Sequence, residues 1–453
     1  MANLTQAQLL KKYDIPAPRY TSYPTVPYWE DTPTSEQWIK SINRALEIPN
    51  MKWSLYIHIP FCETLCTYCG CNTIISKSHS REPTYRDLLL KEWEQYLELA
   101  PELKEKTLSL VHLGGGTPTF FTPENLKILL EPILASCKIN KDEFEGAIEV
   151  DPRRTTREHL NVLRQLGFNR VSLGVQDFNE EVQKMVNRFQ PFEQTKNITL
   201  TARELGYHGV NFDLIYGLPR QTLPRMIYSV EKTLELRPDR IALYSLAIVP
   251  WIKPAQRIFK DEDLPLPPQK RELYEVARDM LLNAGYVEIG MDHFALPEDS
   301  MAVSLKNKTL HRNFMGYVDN RTDLLLGLGV SSISETPDCF HQNEKVFPVY
   351  KRKVENKEIP TLRGHRLTNE DQRFRELILK FMTRMEVDLE DANLAQQVKS
   401  FLQTLDEDGL IVFEGSRLAI TEKGRPFLRN ACMALDQRLR NNKPSAKVFS
   451  QSV

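Results

Sequence analysis

Short apolar runs alternate with amphipathic stretches between residues 53 and 334 of the chain. The apolar runs are SLYIHI, LSLVHL, AIEV, VSLGV, VNFDLIY and RIALYSLAIV. The stretches between them, such as TYRDLLLKEWEQYLELA, TPENLKILLEPILASC and TREHLNVLRQLG, carry apolar residues at helical spacing. Apolar strands separated by amphipathic helices are typical of a parallel sheet covered by helices. The pattern therefore predicts an α/β fold of six β/α units, arranged as an open or closed barrel.

Several of these strands lead into chemically capable residues. The first runs into a cysteine-rich segment and the second into the glycines of HLGGGTP. The third ends at Glu149 and Asp151, the fourth at Gln176 and Asp177, and the fifth carries Asp213. Functional residues of β/α barrels lie at the C-terminal ends of the strands, so we expect these residues to meet at one edge of the sheet.

The pattern changes beyond IPTLRGHRLT. Two helical stretches, NEDQRFRELILKFMTRM and NLAQQVKSFLQTLDEDG, precede LIVFEGSRLAIT, which predicts a hairpin that turns at Glu414, Gly415 and Ser416. The segment TEKGRPFLRNACMALDQRL predicts one further helix. We therefore predict an N-terminal arm (residues 1–50), a catalytic barrel domain (51–362) and a small, mainly helical, winged-helix-like cover domain (363–453).

Charge and hydropathy narrow the class of protein. The 59 basic and 60 acidic residues give a formal net charge of −1, which argues against bulk attraction to nucleic acid or anionic lipid. A DNA-binding regulator using the winged-helix-like module is the weaker alternative. No apolar stretch is long enough to span a bilayer, and the N-terminus lacks the apolar core of a secretory signal. We therefore expect a cytoplasmic protein with reduced thiols.

Four of the seven cysteines lie in one segment, FCETLCTYCGC. Cys62, Cys66 and Cys69 have the spacing C-x3-C-x2-C, and Cys71 follows. A zinc site usually needs a second pair of ligands, which does not follow here. Three thiolates from one loop instead suit a [4Fe–4S] cluster with one iron open to a further ligand. A structural cluster or zinc knuckle is the alternative.

The chain resembles the radical S-adenosylmethionine (SAM) superfamily in this cysteine motif, in the aromatic Tyr68 between its last two cysteines, and in the glycine run after the second strand. The resemblance implies that Cys62, Cys66 and Cys69 hold a [4Fe–4S] cluster whose open iron binds SAM. It also implies reductive cleavage of SAM to methionine and a 5′-deoxyadenosyl radical.

A closer resemblance extends over nearly the whole chain. PRYTSYPT, YIHIPFCETLCTYCGCNT, GGGTPT, EVDPR, GFNRVSLGVQDF, DLIYGLP, GMDHFA, LHRNFMGY and GLGVSSIS are similar to motifs of the oxygen-independent coproporphyrinogen III oxidase family. That family converts two propionate side chains of coproporphyrinogen III to vinyl groups without oxygen, which gives protoporphyrinogen IX in haem biosynthesis. The resemblance further implies two SAM molecules, a reduced flavodoxin- or ferredoxin-type electron donor, no nucleic-acid partner and a monomer.

The resemblance also assigns roles to single residues. Contacts with the first SAM fall on Tyr56, Gly115 and Glu149, and contacts with the second fall on Tyr68, Gly116, Thr117, Gln176, Arg188, Asp213, Ala247 and Ile333. Catalytic roles are expected for Tyr56, His58, Glu149 and Cys71. The substrate carries four carboxylates, so its pocket needs cations or good donors, for which the candidates are Arg19, His311, Arg312 and Asn313.

Some residues distinguish the coproporphyrinogen III oxidase family from the alternative families. Related haem chaperones share YIHIP and the three-cysteine motif but generally lack the fourth cysteine, Cys71. A haem-binding chaperone and a radical enzyme that acts on another tetrapyrrole remain the alternatives. The chain departs from its relatives at Tyr68, which is commonly Phe, and at Ala434 and Leu435, where relatives often carry bulkier residues.

Overall fold

The computed structural model describes residues 4–30, 32–442 and 448–452. Both the predicted arm and the predicted cover domain include residues outside these ranges. Within the described residues, no helix combines the length and the apolar character needed to cross a membrane.

Nineteen strands are present in the described part of the chain. In chain order they are β1 (Lys52–Ile59), β2 (Phe61–Cys62), β3 (Ile74–Ile75), β4 (Thr107–Gly115), β5 (Glu145–Val150), β6 (Arg170–Gln176), β7 (Gly209–Tyr216), β8 (Arg240–Ser245), β9 (Val287–Glu288), β10 (His293–Ala295), β11 (His311–Asn313), β12 (Gly316–Val318), β13 (Leu324–Leu328), β14 (Ile333–Thr336), β15 (Cys339–Asn343), β16 (Thr361–Arg366), β17 (Glu386–Asp388), β18 (Ile411–Glu414) and β19 (Arg417–Ile420).

Sixteen α-helices surround these strands in the same residues. They are α1 (Gln6–Tyr13), α2 (Ser35–Leu46), α3 (Glu82–Leu99), α4 (Pro123–Ala135), α5 (Arg157–Gln165), α6 (Glu180–Met185), α7 (Phe192–Glu204), α8 (Leu223–Leu236), α9 (Pro267–Asn283), α10 (Ser300–Lys306), α11 (Phe347–Glu355), α12 (Asn369–Arg384), α13 (Ala392–Phe401), α14 (Gln403–Glu407), α15 (Leu428–Cys432) and α16 (Gln437–Asn441).

One large sheet organises the molecule. Its order is β16-β15-β14-β13-β1-β4-β5-β6-β7-β8-β10-β9. The strands from β13 to β8 are parallel, whereas β14 to β16 at one side and β10 and β9 at the other are antiparallel. In the described residues the two outermost strands do not pair with each other, so the parallel strands form an incomplete barrel.

The central strands alternate between the helices and the barrel interior, which we call the lumen. On β5, Gly146, Ile148 and Val150 are buried, while Ala147 and Glu149 are partly exposed. Ile148 and Val150 belong to the main hydrophobic core, which includes residues from the surrounding helices. The alternate positions of β5, β6 and β7 therefore point their side chains into the lumen.

A second hydrophobic core joins the two ends of the chain. Leu9, Leu10 and Tyr13 of α1 are buried in the same cluster as Phe381 and Phe427 of the C-terminal region. The rings of Tyr13 and Phe427 lie 5.4 Å apart between centroids. The N-terminal residues thus complete the core of the C-terminal region, although the predicted division into three domains stays a prediction.

The predicted C-terminal elements form with one correction. The hairpin is present as β18 and β19, which form a three-stranded sheet with β17. In the chain, β17 lies between α12 and α13, and the hairpin follows α14. The final single helix is wrong, because the segment divides into a 3₁₀ turn (Arg425–Phe427), α15, a second 3₁₀ turn (Met433–Leu435) and α16. Asp436 interrupts the helical backbone and caps α16 by accepting a hydrogen bond from the Leu439 N–H at 2.9 Å.

Candidate active site

The cysteine segment forms a loop closed at its base by a short parallel ladder. Phe61 and Cys62 of β2 pair with Ile74 and Ile75 of β3. The Ile74 N–H donates to the Pro60 carbonyl at 2.8 Å. The loop therefore begins directly at the C-terminal end of β1, as the sequence predicts.

The thiols of this loop have different surroundings. The Cys62 Sγ lies 3.4 Å from the Thr117 hydroxyl, and burial raises the pKa of this thiol to about 11. The Arg188 guanidinium lies 3.6 Å from the Cys66 Sγ. A hydrogen bond from Cys71, which is itself exposed, lowers the pKa of Cys69 to about 6. The surroundings of Cys69 therefore favour its thiolate, the metal-binding form of cysteine, whereas burial favours the neutral thiol of Cys62 in the absence of a metal.

Most of the sequence-predicted site residues line one cavity of about 180 Å³ at this loop. They are Cys62, Cys66, Tyr68, Cys69, Cys71, Gly115, Gly116, Thr117, Glu149, Gln176, Arg188 and Asp213. These residues come from the cysteine loop, from the C-terminal ends of β4 to β6, from β7 and, for Arg188, from the segment after α6. We call this space the cluster cavity.

The glycine run lets the backbone of β4 approach the cysteine loop. A Cβ at Gly116 would lie 2.5 Å from the Pro60 carbonyl oxygen, so only glycine fits there. Gly115 has φ +118°, a conformation that favours glycine, and its N–H donates to Glu149 Oε2 at 3.3 Å. The end of β4 therefore presents backbone polar groups to the cluster cavity.

Two carboxylates on the lumen faces of β5 and β7 ionise differently. Removal from water opposes ionisation of Glu149, but the hydrogen bond and charge of His112, at 3.1 Å, outweigh it and place the pKa of Glu149 below its ordinary value. Burial and the charge of Glu149 raise the pKa of Asp213 to about 7. Asp213 also accepts a hydrogen bond from Ser172 at 3.2 Å. One carboxylate is thus held ionised, while the other readily carries a proton near neutral pH.

An ion network anchors Arg188 beside the cysteines. Its guanidinium donates to Asp151 at 3.3 Å and to the Gly174 carbonyl at 2.6 Å, while its Nε is buried without a partner. Burial opposes ionisation of Asp151, but Arg188 and Arg153 lower the pKa of this carboxyl to about 2. The roles of Asp151 and Arg153 were not predicted, although both lie in the EVDPR motif. Arg188 therefore keeps one donor available for a ligand in the cavity.

The predicted catalytic pair Tyr56 and His58 lies on one face of β1. The Tyr56 hydroxyl and the His58 Nδ1 are 3.1 Å apart, and the His58 Nε2 is 3.0 Å from the Asn72 carbonyl oxygen of the cysteine loop. Phe314 contacts the Tyr56 ring edge-on, with centroids 5.0 Å apart. Burial lowers the pKa of His58, so this imidazole is neutral at physiological pH.

A second cavity, of about 130 Å³, continues down the lumen from Glu149 and Asp213. Its wall includes His112, Ser172 and Asn211, and the Asn211 Oδ1 is buried without a partner. The sequence analysis missed these residues. They could have been found from the alternation of side chains between the two faces of each strand, which places His112 and Ser172 on lumen faces.

The remaining predicted SAM contacts, Gln176, Ala247 and Ile333, differ in their position relative to the cluster cavity. Gln176 ends β6 with φ +69°, an uncommon value for a residue other than glycine, and lines the cluster cavity. The Ala247 carbonyl shares the side-chain amide of Gln256 with the Tyr68 carbonyl, at 3.0 and 3.1 Å. Ile333, on β14, packs instead against a small cluster that contains Trp29. Ile333 does not line the cluster cavity.

Two of the predicted substrate residues meet at a buried carboxylate beyond the lumen. The Arg19 Nη1 lies 3.9 Å from Asp292, and the Asp292 carboxylate also binds His293 at 2.6 Å. Arg312 stacks on Tyr317, donates to the Arg19 carbonyl at 3.3 Å, and lowers the pKa of Asp292 through its charge. Arg312 is 6% exposed, yet its Nε and Nη1 have no partner.

The other two predicted substrate residues have clear roles in the hairpin of β11 and β12. The Asn313 side chain accepts a hydrogen bond from the Met315 N–H at 2.9 Å and so forms the turn. His311 is buried, and burial together with Arg321 and Arg375 lowers its pKa to about 3. Contacts within the protein therefore explain the positions of both residues without a bound substrate.

A larger cavity, of about 470 Å³, lies between α1, α9 and the C-terminal region. Arg19 and Asp292 line it together with Tyr216 and Ser245, which end β7 and β8. Small-molecule sites usually occupy about 300 to 1,000 Å³. We call this space the mouth cavity, because it adjoins the C-terminal ends of two barrel strands.

The cysteine arrangement differs from that of a single-ion site. Among the described residues, no three His, Cys, Asp or Glu side chains are grouped tightly enough to hold one metal ion. The thiols of Cys62, Cys66 and Cys69 nevertheless face one cavity. In a [4Fe–4S] cluster each cysteine binds a different iron, so the thiols stand further apart than around one ion. The donor set therefore suits a cluster.

Comparison with known proteins agrees with this geometry. Residues 56–231 match the profile of the Radical SAM superfamily, and residues 367–427 match that of the HemN C-terminal domain. A protein named oxygen-independent coproporphyrinogen III oxidase from Escherichia coli (strain K12) is 38% identical to this chain, and the alignment covers 98% of each sequence. A protein of the same name from Pseudomonas aeruginosa is 37% identical, and the alignment covers 96% of each sequence. The chain belongs to the oxygen-independent coproporphyrinogen III oxidase family.

The family's known fold matches along the whole chain. The solved structure of the coproporphyrinogen III oxidase (HemN) of Escherichia coli, described as a radical SAM enzyme, superposes with a TM-score of 0.90 at 37% identity. The match covers 97% of this chain and 100% of that chain. The predicted radical SAM barrel with a helical C-terminal region is thus confirmed, and membership of the radical SAM superfamily implies a [4Fe–4S] cluster and SAM.

Proposed function

We propose that this chain oxidatively decarboxylates two propionate side chains of coproporphyrinogen III, without oxygen, to give protoporphyrinogen IX. The observation that carries the proposal is the convergence of the three motif cysteines, the glycine edge of β4 and the charged groups of β5 to β7 on one cavity. Near full-length similarity to oxidases of this name supports the substrate. Each conversion of a propionate to a vinyl group transfers one hydrogen atom to the 5′-deoxyadenosyl radical, releases one carbon dioxide and passes one electron to an external one-electron acceptor.

The cofactor sites follow from the residues of the cluster cavity. Cys62, Cys66 and Cys69 hold the cluster. When bound, the cluster and SAM supply a 5′-deoxyadenosyl radical that removes hydrogen from the propionate β-carbon. Ionised Glu149 accepts from the ammonium or ribose groups of the first SAM. The exposed Cys71 acts beside the cluster.

A second SAM lies against Tyr68, Gln176, Arg188 and Asp213. The unpartnered Nε of Arg188 supports this placement, because a buried donor without a partner is costly and a SAM carboxylate would satisfy it. Protonated Asp213 can donate to a ribose hydroxyl, whereas ionised Asp213 can accept from it.

We place the substrate between the lumen and the mouth cavity. Arg19 and Arg312 receive one of its carboxylates, because Arg312 offers two unpartnered donors and contacts Arg19 through the Arg19 carbonyl. Tyr56 and His58 lie on the opposite side, next to Glu149, and orient the reacting propionate. The electron donor is a reduced flavodoxin- or ferredoxin-type protein, and the enzyme acts as a monomer.

An anaerobic assay tests the proposal. Reconstituted, dithionite-reduced protein receives SAM and coproporphyrinogen III, and products are identified by mass. Protoporphyrinogen IX, methionine and 5′-deoxyadenosine should form together, and Cys66→Ala should abolish all three. SAM cleavage without decarboxylation would indicate a radical enzyme for another tetrapyrrole. Haem binding without SAM cleavage by a cluster-loaded protein would indicate a chaperone.

A further inference from the structure

An exposed apolar and basic surface surrounds the outer side of the cysteine loop. It consists of Ile252 and Val346, which are 58% and 57% exposed, and the cations Lys253, Lys345 and Arg363. We call this surface the loop face. A single exposed apolar residue is ordinary, but two beside clustered cations mark an interaction surface.

Direct contacts attach the loop face to the cysteine loop. The Lys253 ammonium donates to the Cys71 carbonyl at 2.7 Å. The Asn72 side chain donates to the Lys345 carbonyl at 3.2 Å, and Val346 follows in the chain. A molecule that covers this face is therefore separated from the cluster cavity only by the cysteine loop.

The charge of the loop face is uncompensated. Burial, Arg363 and Lys253 all lower the pKa of Lys345, which places the three cations within one another's field. Among the described residues, none of the three lies within 4.0 Å of a carboxylate; the neighbouring Glu344 pairs with Lys353 at 2.7 Å. The chain as a whole carries a formal charge of only −1, so this concentration of cations is local. It favours an anionic partner.

The shape of the surface favours a protein over a small molecule. Lys253, Lys345 and Arg363 line neither the cluster cavity nor the lumen cavity nor the mouth cavity. Half-exposed apolar side chains among cations are typical of small, transient protein interfaces, in which electrostatic complementarity speeds the encounter. The substrate, by contrast, needs an enclosed pocket.

We propose that the loop face is the docking site for a small acidic electron-carrier protein of the flavodoxin or ferredoxin class. The inference rests on the proposed function, which consumes one electron for each SAM cleaved. The carrier is oxidised by one electron, and the cluster behind the loop is reduced by one. Lys345 and Arg363 attract carboxylates on the carrier, while Ile252 and Val346 exclude water from the contact.

Binding and kinetics of a charge-reversed holoenzyme test this assignment. The probe is a purified bacterial flavodoxin, titrated calorimetrically into reconstituted enzyme at low and high salt. The double variant Lys345→Glu/Arg363→Glu should bind it about tenfold more weakly at low salt and lose most of the salt dependence. The control Lys141→Glu/Lys306→Glu makes the same charge change at exposed lysines elsewhere and should bind as the wild type does.

The reductant separates docking from catalysis. With reduced flavodoxin, the variant should show a KM for the carrier raised about tenfold, whereas its dithionite-driven rate should equal that of the wild type. Unchanged flavodoxin binding in the variant, or no flavodoxin binding by the wild type, would overturn the docking site. A raised KM for coproporphyrinogen with dithionite would assign the cations to the substrate instead. Failure of wild-type turnover with dithionite would contradict the proposed function itself.

Discussion

At the scale of single residues, the lumen holds two carboxylates whose protonation differs because their neighbours differ. Glu149 faces His112 and a backbone N–H, whereas Asp213 faces Ser172 and the charge of Glu149. Like charges in a confined space cannot both ionise cheaply. The pair can therefore accept and release a proton at Asp213 while Glu149 stays available as an anion.

This difference predicts a pH-dependent stability effect of Asp213→Asn in the ligand-free protein. The folded-state pKa of about 7 exceeds the ordinary value of 3.8, so the folded state binds more protons between these values. Wild-type stability contributed by Asp213 is present at low pH and falls as the pH rises towards 7. Asp213→Asn should gain stability relative to the wild type between pH 4.5 and pH 7.5, measured by urea unfolding.

Asp319→Asn is the matched control for that experiment. Burial opposes ionisation of Asp319, but Arg240 and Arg170 lower its pKa to about 2, so its contribution is constant from pH 4.5 to pH 7.5. Asp319→Asn should cost about 1.5–3 kcal/mol throughout that range, because Arg240 loses one charged hydrogen bond while it keeps Asp299 as a partner. Parallel pH profiles for the two variants would contradict the assignment of Asp213.

A second residue-scale prediction concerns Arg312. Its unpartnered donors suit carboxylate binding, and its guanidinium stacks on Tyr317, an arrangement that lysine cannot reproduce. Arg312→Lys should raise the KM for coproporphyrinogen about tenfold or more, at the strength of one charged hydrogen bond, with little change in dithionite-driven SAM cleavage. Arg321→Lys, at an exposed position nearby, should leave the KM unchanged. Equal KM values for wild type and Arg312→Lys would remove Arg312 from the substrate site.

Residues of the site that belong to sequence motifs were predictable, and their partners were not. The cysteines, Gly115, Glu149 and Asp213 stand at strand ends or on apolar strands, where polar chemistry is conspicuous. Asp292 was missed because its role depends on Arg19 and Arg312, which are distant in the chain and meet it only in the folded structure. The catalytic and binding roles themselves stay predictions.

At the scale of secondary-structure elements, the period of the apolar residues predicted the six β/α units, and these are confirmed. The parallel pairing of β13 with β1 was not predictable, because it joins strands about 270 residues apart through tertiary contacts alone. The final helix was predicted wrongly because helical periodicity continues across Asp436, whose side chain caps a new helix instead.

Arg429 of α15 connects three elements and supports a prediction at this scale. Its guanidinium donates to the carbonyls of Ala17, Pro18, Gln451 and Ser452, and so joins the arm to the C-terminal segment. Arg429→Gln should weaken this junction by about 1–3 kcal/mol, because buried carbonyls lose their donor. Exchange of the Ala17 and Ser452 amide protons, which bond to Ser450 and Ile15, should accelerate about 10- to 100-fold.

The remainder of the sheet provides the internal comparison for that measurement. Amide protons of β4, such as that of Val111, lie in the main core and should exchange as they do in the wild type. Arg373→Gln, on the exposed side of α12, is the control variant and should change neither set. Uniform acceleration across β4 and the arm would show global destabilisation and contradict a local role for Arg429.

At the scale of the whole molecule, the two ends of the chain share one core beside the barrel. Leu9 and Tyr13 are buried against the C-terminal region, and the Tyr20 hydroxyl donates to Asp436 at 3.2 Å. The same N-terminal segment carries Arg19 to the mouth cavity. Formation of the mouth cavity is therefore coupled to folding of the C-terminal region, and the arm cannot be a free extension.

This coupling predicts the effect of opening the second core. The double variant Leu9→Ala/Tyr13→Ala should lose roughly 4–10 kcal/mol from that core, since each large-to-small change costs about 2–5 kcal/mol. Limited proteolysis should then cut between residues 363 and 442 first, while a fragment containing the barrel stays intact. The exposed changes Gln6→Ala/Lys11→Ala should preserve the wild-type pattern. Equal cleavage rates for the barrel and the C-terminal region would contradict this prediction, because they would show that the two cores unfold as one cooperative unit. Substrate binding would then depend on the global stability of the protein and not on the position of the arm.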